Sequence, residues 1–179
     1  TSMDAQLHWL ETMVRKLLTL LSMKKNAKIA PVSVPELLTQ VRELTRPIME
    51  KYGTSLEITC NGDILPVDKD LMCIALVNLV ENSAKASAPG QTIRIQASEM
   101  GFTVTDHGRG IPEKDLKRVT DPFYMGDPSR SKANGGFGLG LALVREIAAV
   151  HGGTLTLEST LGEGTTARIV IGNQTVTCR

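Results

Sequence analysis

The segment from Asp68 to Ser87 constrains this chain more than any other, because it reads as one long helix with two dissimilar faces. At about 100° per residue, Asn78, Asn82 and Lys85 fall within an arc of about 60°, opposite Leu76, Val77, Leu79, Val80 and Ala84. One side can pack on a sheet, while the other presents two carboxamides and an ammonium. A polar face is equally a solvated face, so the helix alone leaves its purpose open. Glu81, about 60° from Asn78, is either a carboxylate sharing a site or simple surface charge.

Around this helix the chain is ordinary in bulk. Its 179 residues are 41% apolar and 22% charged, enough for one globular domain with a helical extension. With 20 Lys+Arg against 19 Asp+Glu, a net charge of +1 exerts no general pull on nucleic acid or anionic lipid. Aromatics make up only 3%, too few for a base-stacking platform, so no nucleic-acid partner is expected. There is no apolar run near the roughly 20 residues of a membrane span, and no signal-peptide pattern. Cys60, Cys73 and Cys178 are odd in number and widely spaced, as idle thiols are. An opening Thr1 rather than Met is expected of a piece of a longer protein.

The pattern predicts a helix over about Met3 to Lys24, whose Leu7, Leu10, Val14, Leu17, Leu18 and Leu21 repeat at three-four spacing and want a second helix to pack on. Another helix should open at the capping box Ser33-Val34-Pro35-Glu36 and end near Tyr52-Gly53, with a kink at Pro47. Strands are expected at Ser55–Cys60, Thr92–Ala97, Phe102–Asp106, Thr154–Ser159 and Thr165–Ile171, with Asn61-Gly62 as a hairpin signal. A short helix near Glu113 to Val119 and a last one from Gly138 to Val150 complete the set. The fold class is α+β: a two-layer sandwich with a mixed sheet of about five strands on three helices, behind an N-terminal helix.

Three further segments carry chemistry. Asp106-His107-Gly108-Arg109-Gly110 follows a strand. Its glycines let a flat ligand approach, and its carboxylate can accept from an exocyclic amino group, favouring adenine over guanine. A capped turn would read the same way. Gly135-Gly136-Phe137-Gly138-Leu139-Gly140-Leu141 runs into a helix, exposing backbone N–H groups and a helix dipole to an anion, although glycines by themselves also make linkers. It is neither a Walker loop nor a dinucleotide fingerprint. Between them, Asp121 to Gly136 reads as a polar flap with Phe123 and Tyr124 as its anchors; Arg130 and Lys132 there either meet phosphate charge or stay solvated.

Taken in order, these segments resemble the boxes of the sensor histidine kinases. Leu76 to Lys85 resembles the N box, Asp106 to Pro112 the first glycine box, Asp121-Pro122-Phe123-Tyr124 the F box, and Gly136 to Leu141 the second glycine box. The likeness covers about Val34 to Ile171 and implies the ATP-binding sandwich shared with type II topoisomerases, a chaperone family and mismatch-repair ATPases. It implies domains at 1–25 (the second helix of a dimerisation and phosphoacceptor domain) and 33–172 (the catalytic domain), with a tail at 173–179. Implied cofactors are ATP and magnesium. Asn82 would hold the metal, with Asn78 and Lys85 beside the phosphates and Glu81 as a further catalytic candidate. Asp106 would hold the adenine amino group, with Gly108, Gly110 and Ile111 lining the base. Phe123, Tyr124, Arg130, Lys132, Gly136, Gly138, Leu139, Gly140 and Leu141 would shape the phosphate end, and Thr165 would support Asp106.

The same resemblance implies transfer of the γ-phosphoryl of ATP to a histidine outside this chain, then to an aspartate of a response-regulator receiver domain. A homodimer, and a full-length protein at a bacterial inner membrane, are implied too. His8, His107 and His151 all lack the acceptor's sequence context. Met125 stands where many members carry Arg, and Phe137 where a small residue is usual. An ATPase or serine kinase on the same fold is the enzymatic alternative, weakened because Asn78 replaces the Glu of hydrolytic relatives. A degenerate nucleotide-binding docking module is the other.

Overall fold

The computed structural model describes residues 2–125 and 138–172, apart from the side chains of residues 2–6, 8 and 9. In chain order the elements are α1 (Ser2–Asn26), β1 (Ala30–Ser33), α2 (Val34–Tyr52), β2 (Ser55–Cys60), β3 (Ile64–Val67), α3 (Lys69–Ala86), β4 (Thr92–Ser98), β5 (Gly101–Asp106), α4 (Glu113–Leu116), α5 (Gly140–Val150), β6 (Thr154–Thr160) and β7 (Gly164–Val170). Five strands form one mixed sheet in the order β2-β4-β5-β7-β6. The pair β2·β4 is parallel and the other pairs are antiparallel. The expected two-layer α+β sandwich is therefore present: α2, α3 and α5 cover one face of this sheet.

Local chemistry sets the helix limits. Ser33 caps α2, its side chain accepting from Glu36 N at 3.5 Å, and Pro35 occupies the first turn, where a missing N–H costs nothing. Gly53, at φ 64°, closes the same helix. Asp68 caps α3 through Asp70 N (3.1 Å) and Leu71 N (3.0 Å). Its other oxygen accepts from Lys28 N at 2.7 Å, and its own N–H donates to Nε2 of the fully buried His151 at 2.9 Å. That network fixes the start of α3 against the chain leaving α1 and the end of α5.

The core is aliphatic. Ile93, Ile95 and Ala97 of β4 alternate inward, as do Ala167 and Ile169 of β7, against Leu37, Val41, Met72, Leu76, Val80, Leu143 and Ile147 from the helices. Outward residues pair across strands, as Glu57 does with Arg94 at 2.9 Å.

The hairpin expectation at Asn61-Gly62 does not hold. The chain turns there, but β3 leaves the main sheet and pairs antiparallel with β1, Pro31 opposite Pro66, while β2 pairs in parallel with β4. Proline gives a ladder no N–H, so this segment suits a two-stranded ribbon better than a second row beside β2. Neither β1 nor β3 is among the strands expected from the sequence pattern.

Helix α1 lies against α5, with Met23 only 2% exposed in the core and Lys24 in an ion pair with Glu146 at 3.2 Å. Its remaining stripe (Leu7, Leu10, Val14, Leu18 and Leu21) is exposed. No helix among the described residues is long and apolar enough to cross a membrane.

Candidate nucleotide site

A cavity of about 490 Å³ opens between α3, the loop after β5, the F-box turn, the start of α5 and one face of α1. That is an ordinary size for a small-molecule site. Asp106, Glu81, Asn82 and Lys85 all line it.

Asp106 is 4% exposed. Its Oδ2 accepts from Ser83 Oγ at 2.8 Å, and its Oδ1 accepts from Gly108 N at 2.9 Å and Thr165 N at 3.3 Å. Both carboxylate oxygens thus accept from groups of the protein itself, and Asp106 also lines the cavity. Ser83 escaped the sequence reading, although a hydroxyl between Leu79, Val80 and Ala84 was a signal: a polar group on the packed side of a helix needs a buried partner.

Gly108 and Gly110 sit where β5 ends, and both are buried. A Cβ on Gly108 would lie 2.5 Å from Ala86 O, so the space freed there admits the end of α3. Gly110 lines the cavity, at φ 70°, and a Cβ on it would lie 2.0 Å from Thr160 O. Ile111 and Thr165 line the cavity too, while Gly108 does not.

Elsewhere in the lining Lys85 Nζ donates to Glu81 Oε1 at 2.6 Å, with side chains 18% and 31% exposed. Burial works to raise the Glu81 carboxyl, but the Lys85 hydrogen bond and the charges of Lys85, Lys16 and Lys51 outweigh it and hold the group below the usual carboxylate range. So held, Glu81 is a weak base. Asn78 is buried rather than solvated: its Nδ2 donates to Ile74 O at 2.8 Å. The start of α5 presses on both carboxamides, since a Cβ on Gly140 would lie 3.3 Å from Asn78 Oδ1 and 3.6 Å from Asn82 Oδ1. Among the described residues no side chain caps α5, and its first residues, Gly140 and Leu141, line the cavity with Gly138. Leu139 points into the core.

The F-box turn forms the rim. Tyr124 donates to Asp115 Oδ1 at 2.7 Å under the Arg118 guanidinium, 4.4 Å from the ring centre; the hydrogen bond to Asp115 pushes the phenol's pKa up. Phe123 is exposed, at φ 64°, and its N–H donates to Gly138 O at 3.0 Å. Tyr124 lines the cavity and Phe123 does not; Met125 lines it as well. Arg130, Lys132, Gly136 and Phe137 lie outside the described residues. Thr12 and Lys16 of α1 also line the cavity, which nothing in the sequence patterning had suggested.

The donor set suits a magnesium–nucleotide more than a bare metal. Among the described residues no group of three His, Cys, Asp or Glu side chains could hold an ion. Magnesium is ordinarily held by one or two protein oxygens plus substrate phosphates, and the Asn82 carboxamide fits that pattern, lining the cavity with Lys85 and the start of α5, whereas Asn78 does not line it.

With this geometry in view, comparison with known proteins is direct. The family described as histidine kinase-, DNA gyrase B-, and HSP90-like ATPase matches residues 67–175, and the chain belongs to it. SenX3 of Mycobacterium tuberculosis, a sensor-like histidine kinase, is 41% identical over 108 residues, 58% of this chain and 26% of that protein. SenX3 of Mycolicibacterium smegmatis is 32% identical over 177 residues, 94% of this chain and 46% of that protein. Among solved structures, the mycobacterial sensor histidine kinase MprB superposes with a TM-score of 0.67 at 27% identity, covering 80% of this chain and 97% of that one. The chain thus spans less than half the length of these curated relatives. Within the family it is an ATP-binding catalytic domain of the sensor histidine kinase kind.

Proposed function

We propose that the whole protein transfers the γ-phosphoryl group of ATP to a histidine lying outside this chain, for onward transfer to an aspartate of a response-regulator receiver domain. The observation that carries this reading is that one cavity is lined by a buried, hydrogen-bonded carboxylate, Asp106, together with Asn82, Lys85 and the α5 start. In it Asp106 accepts from the adenine amino group, while Lys85 and the α5 amides neutralise phosphate charge. Asn82, with Asn78 beside it, holds magnesium, which when bound screens the phosphates and orients them. Phosphoryl transfer asks a protein mainly for such positioning and charge. The residues 33–172 act as the catalytic unit. Helix α1 is the second helix of a dimerisation domain, and its exposed Leu7, Leu10, Val14, Leu18 and Leu21 support a helical partner and a homodimer. A bacterial inner-membrane location of the whole protein belongs to the same reading.

Calorimetric titration with a non-hydrolysable ATP analogue, with and without magnesium, tests it. Wild type should bind at least about 10-fold more tightly with the metal, and Asn82→Ala should remove that difference. Binding indifferent to magnesium in the wild type would instead favour a degenerate docking module.

A further inference from the structure

We propose that Lys16 of α1 is a phosphate-contacting residue of the nucleotide site, so that the N-terminal helix supplies one wall of it. The proposal rests on the nucleotide reading of the cavity and adds a residue from outside the boxes that define it. Lys16 lines the cavity together with Glu81, Asn82 and Lys85. Of the lining carboxylates, Asp106 already accepts from Ser83 and Asp115 from Tyr124. Among the described lining residues that leaves Glu81, itself hydrogen-bonded to Lys85, against the positive charges of Lys16, Lys85, Lys114 and Arg109. The surplus positive charge is what a polyphosphate would neutralise.

Burial pushes the Lys16 ammonium's pKa down, Glu81 opposes that and Lys85 adds to it, so an anion arriving between the lysines relieves a real cost. The helix is also fixed where this requires it. Met23 is buried in the core, Lys24 pairs with Glu146 on α5, and Lys28 N donates to the Asp68 cap of α3. The wall and the α3 side chains it faces are therefore tied to the same helix start.

The test uses the full 179-residue chain. Calorimetry would compare a non-hydrolysable ATP analogue with AMP on wild type, Lys16→Gln and Lys16→Arg, with thermal midpoints as a folding check. Lys16→Gln should weaken the triphosphate about 10-fold while changing AMP affinity less than about 2-fold, and Lys16→Arg should stay within about 3-fold of wild type. Equal losses for both nucleotides would reduce Lys16 to packing and overturn the proposal, as would unchanged triphosphate affinity; both leave the nucleotide reading standing. A wild type that binds neither nucleotide would remove that reading and the proposal with it.

Discussion

The cavity lining around Asp106 and the lining around Lys85 are built differently. Around Asp106 the polar groups satisfy one another inside the protein: a hydroxyl from α3 and backbone N–H groups from the loop after β5 and from β7 converge on a carboxylate 4% exposed. Lys85 and Glu81 are partly solvated and pair with each other, beside a helix start that no side chain among the described residues caps. The first lining is part of the fold; the second is completed by what binds. Substitutions around Asp106 should therefore cost stability as well as binding, whereas those around Lys85 should cost binding alone.

Asp106→Ala is the strongest way to break this contrast. It strands Ser83 Oγ and two backbone N–H groups and should cost about 3 kcal/mol in chemical denaturation. A loss below about 1 kcal/mol would mean the lining around Asp106 is no better organised than that around Lys85. Ser83→Ala sharpens the same point: losing one hydrogen bond to a buried carboxyl group should cost about 1–2 kcal/mol, while the fold persists. Glu81→Gln should have the smallest effect, under about 1 kcal/mol at neutral pH, because the pair is partly exposed. Its sign follows from a carboxyl held below its unfolded pKa. The wild-type advantage is present above the ordinary carboxylate range and disappears as pH falls through the lowered value, which denaturation from pH 7 to pH 3 would follow.

Much of the architecture was legible because local chemistry and packing agree. The three-four spacing of Val34, Leu37, Leu38 and Val41 between Ser33 and Gly53 marks α2, and Asp68 before an apolar run marks α3. The turn residues Asn61-Gly62 misled, because a turn signal says that the chain reverses and not which strand it then joins; prolines on both β1 and β3 decided that. At the site, Asn82, Asp106 and the glycines stood out by residue type. Ser83 and Lys16 did not, since each matters through a partner far away in sequence, Asp106 for one and Glu81 for the other. Gly108 was legible as a required glycine but for a different neighbour, the carbonyl that ends α3.

Base selection by Asp106→Asn reaches the central claim most directly. A carboxamide of the same shape can keep a contact with Ser83, but it presents a donor as readily as an acceptor. Competition between ATP and GTP analogues, read by calorimetry, should show wild type strongly preferring adenine and the variant losing most of that preference, with adenine affinity down roughly 10-fold. Identical affinity and identical preference in the two proteins would contradict the assignment of Asp106 to the base, and with it the orientation of the nucleotide in the cavity.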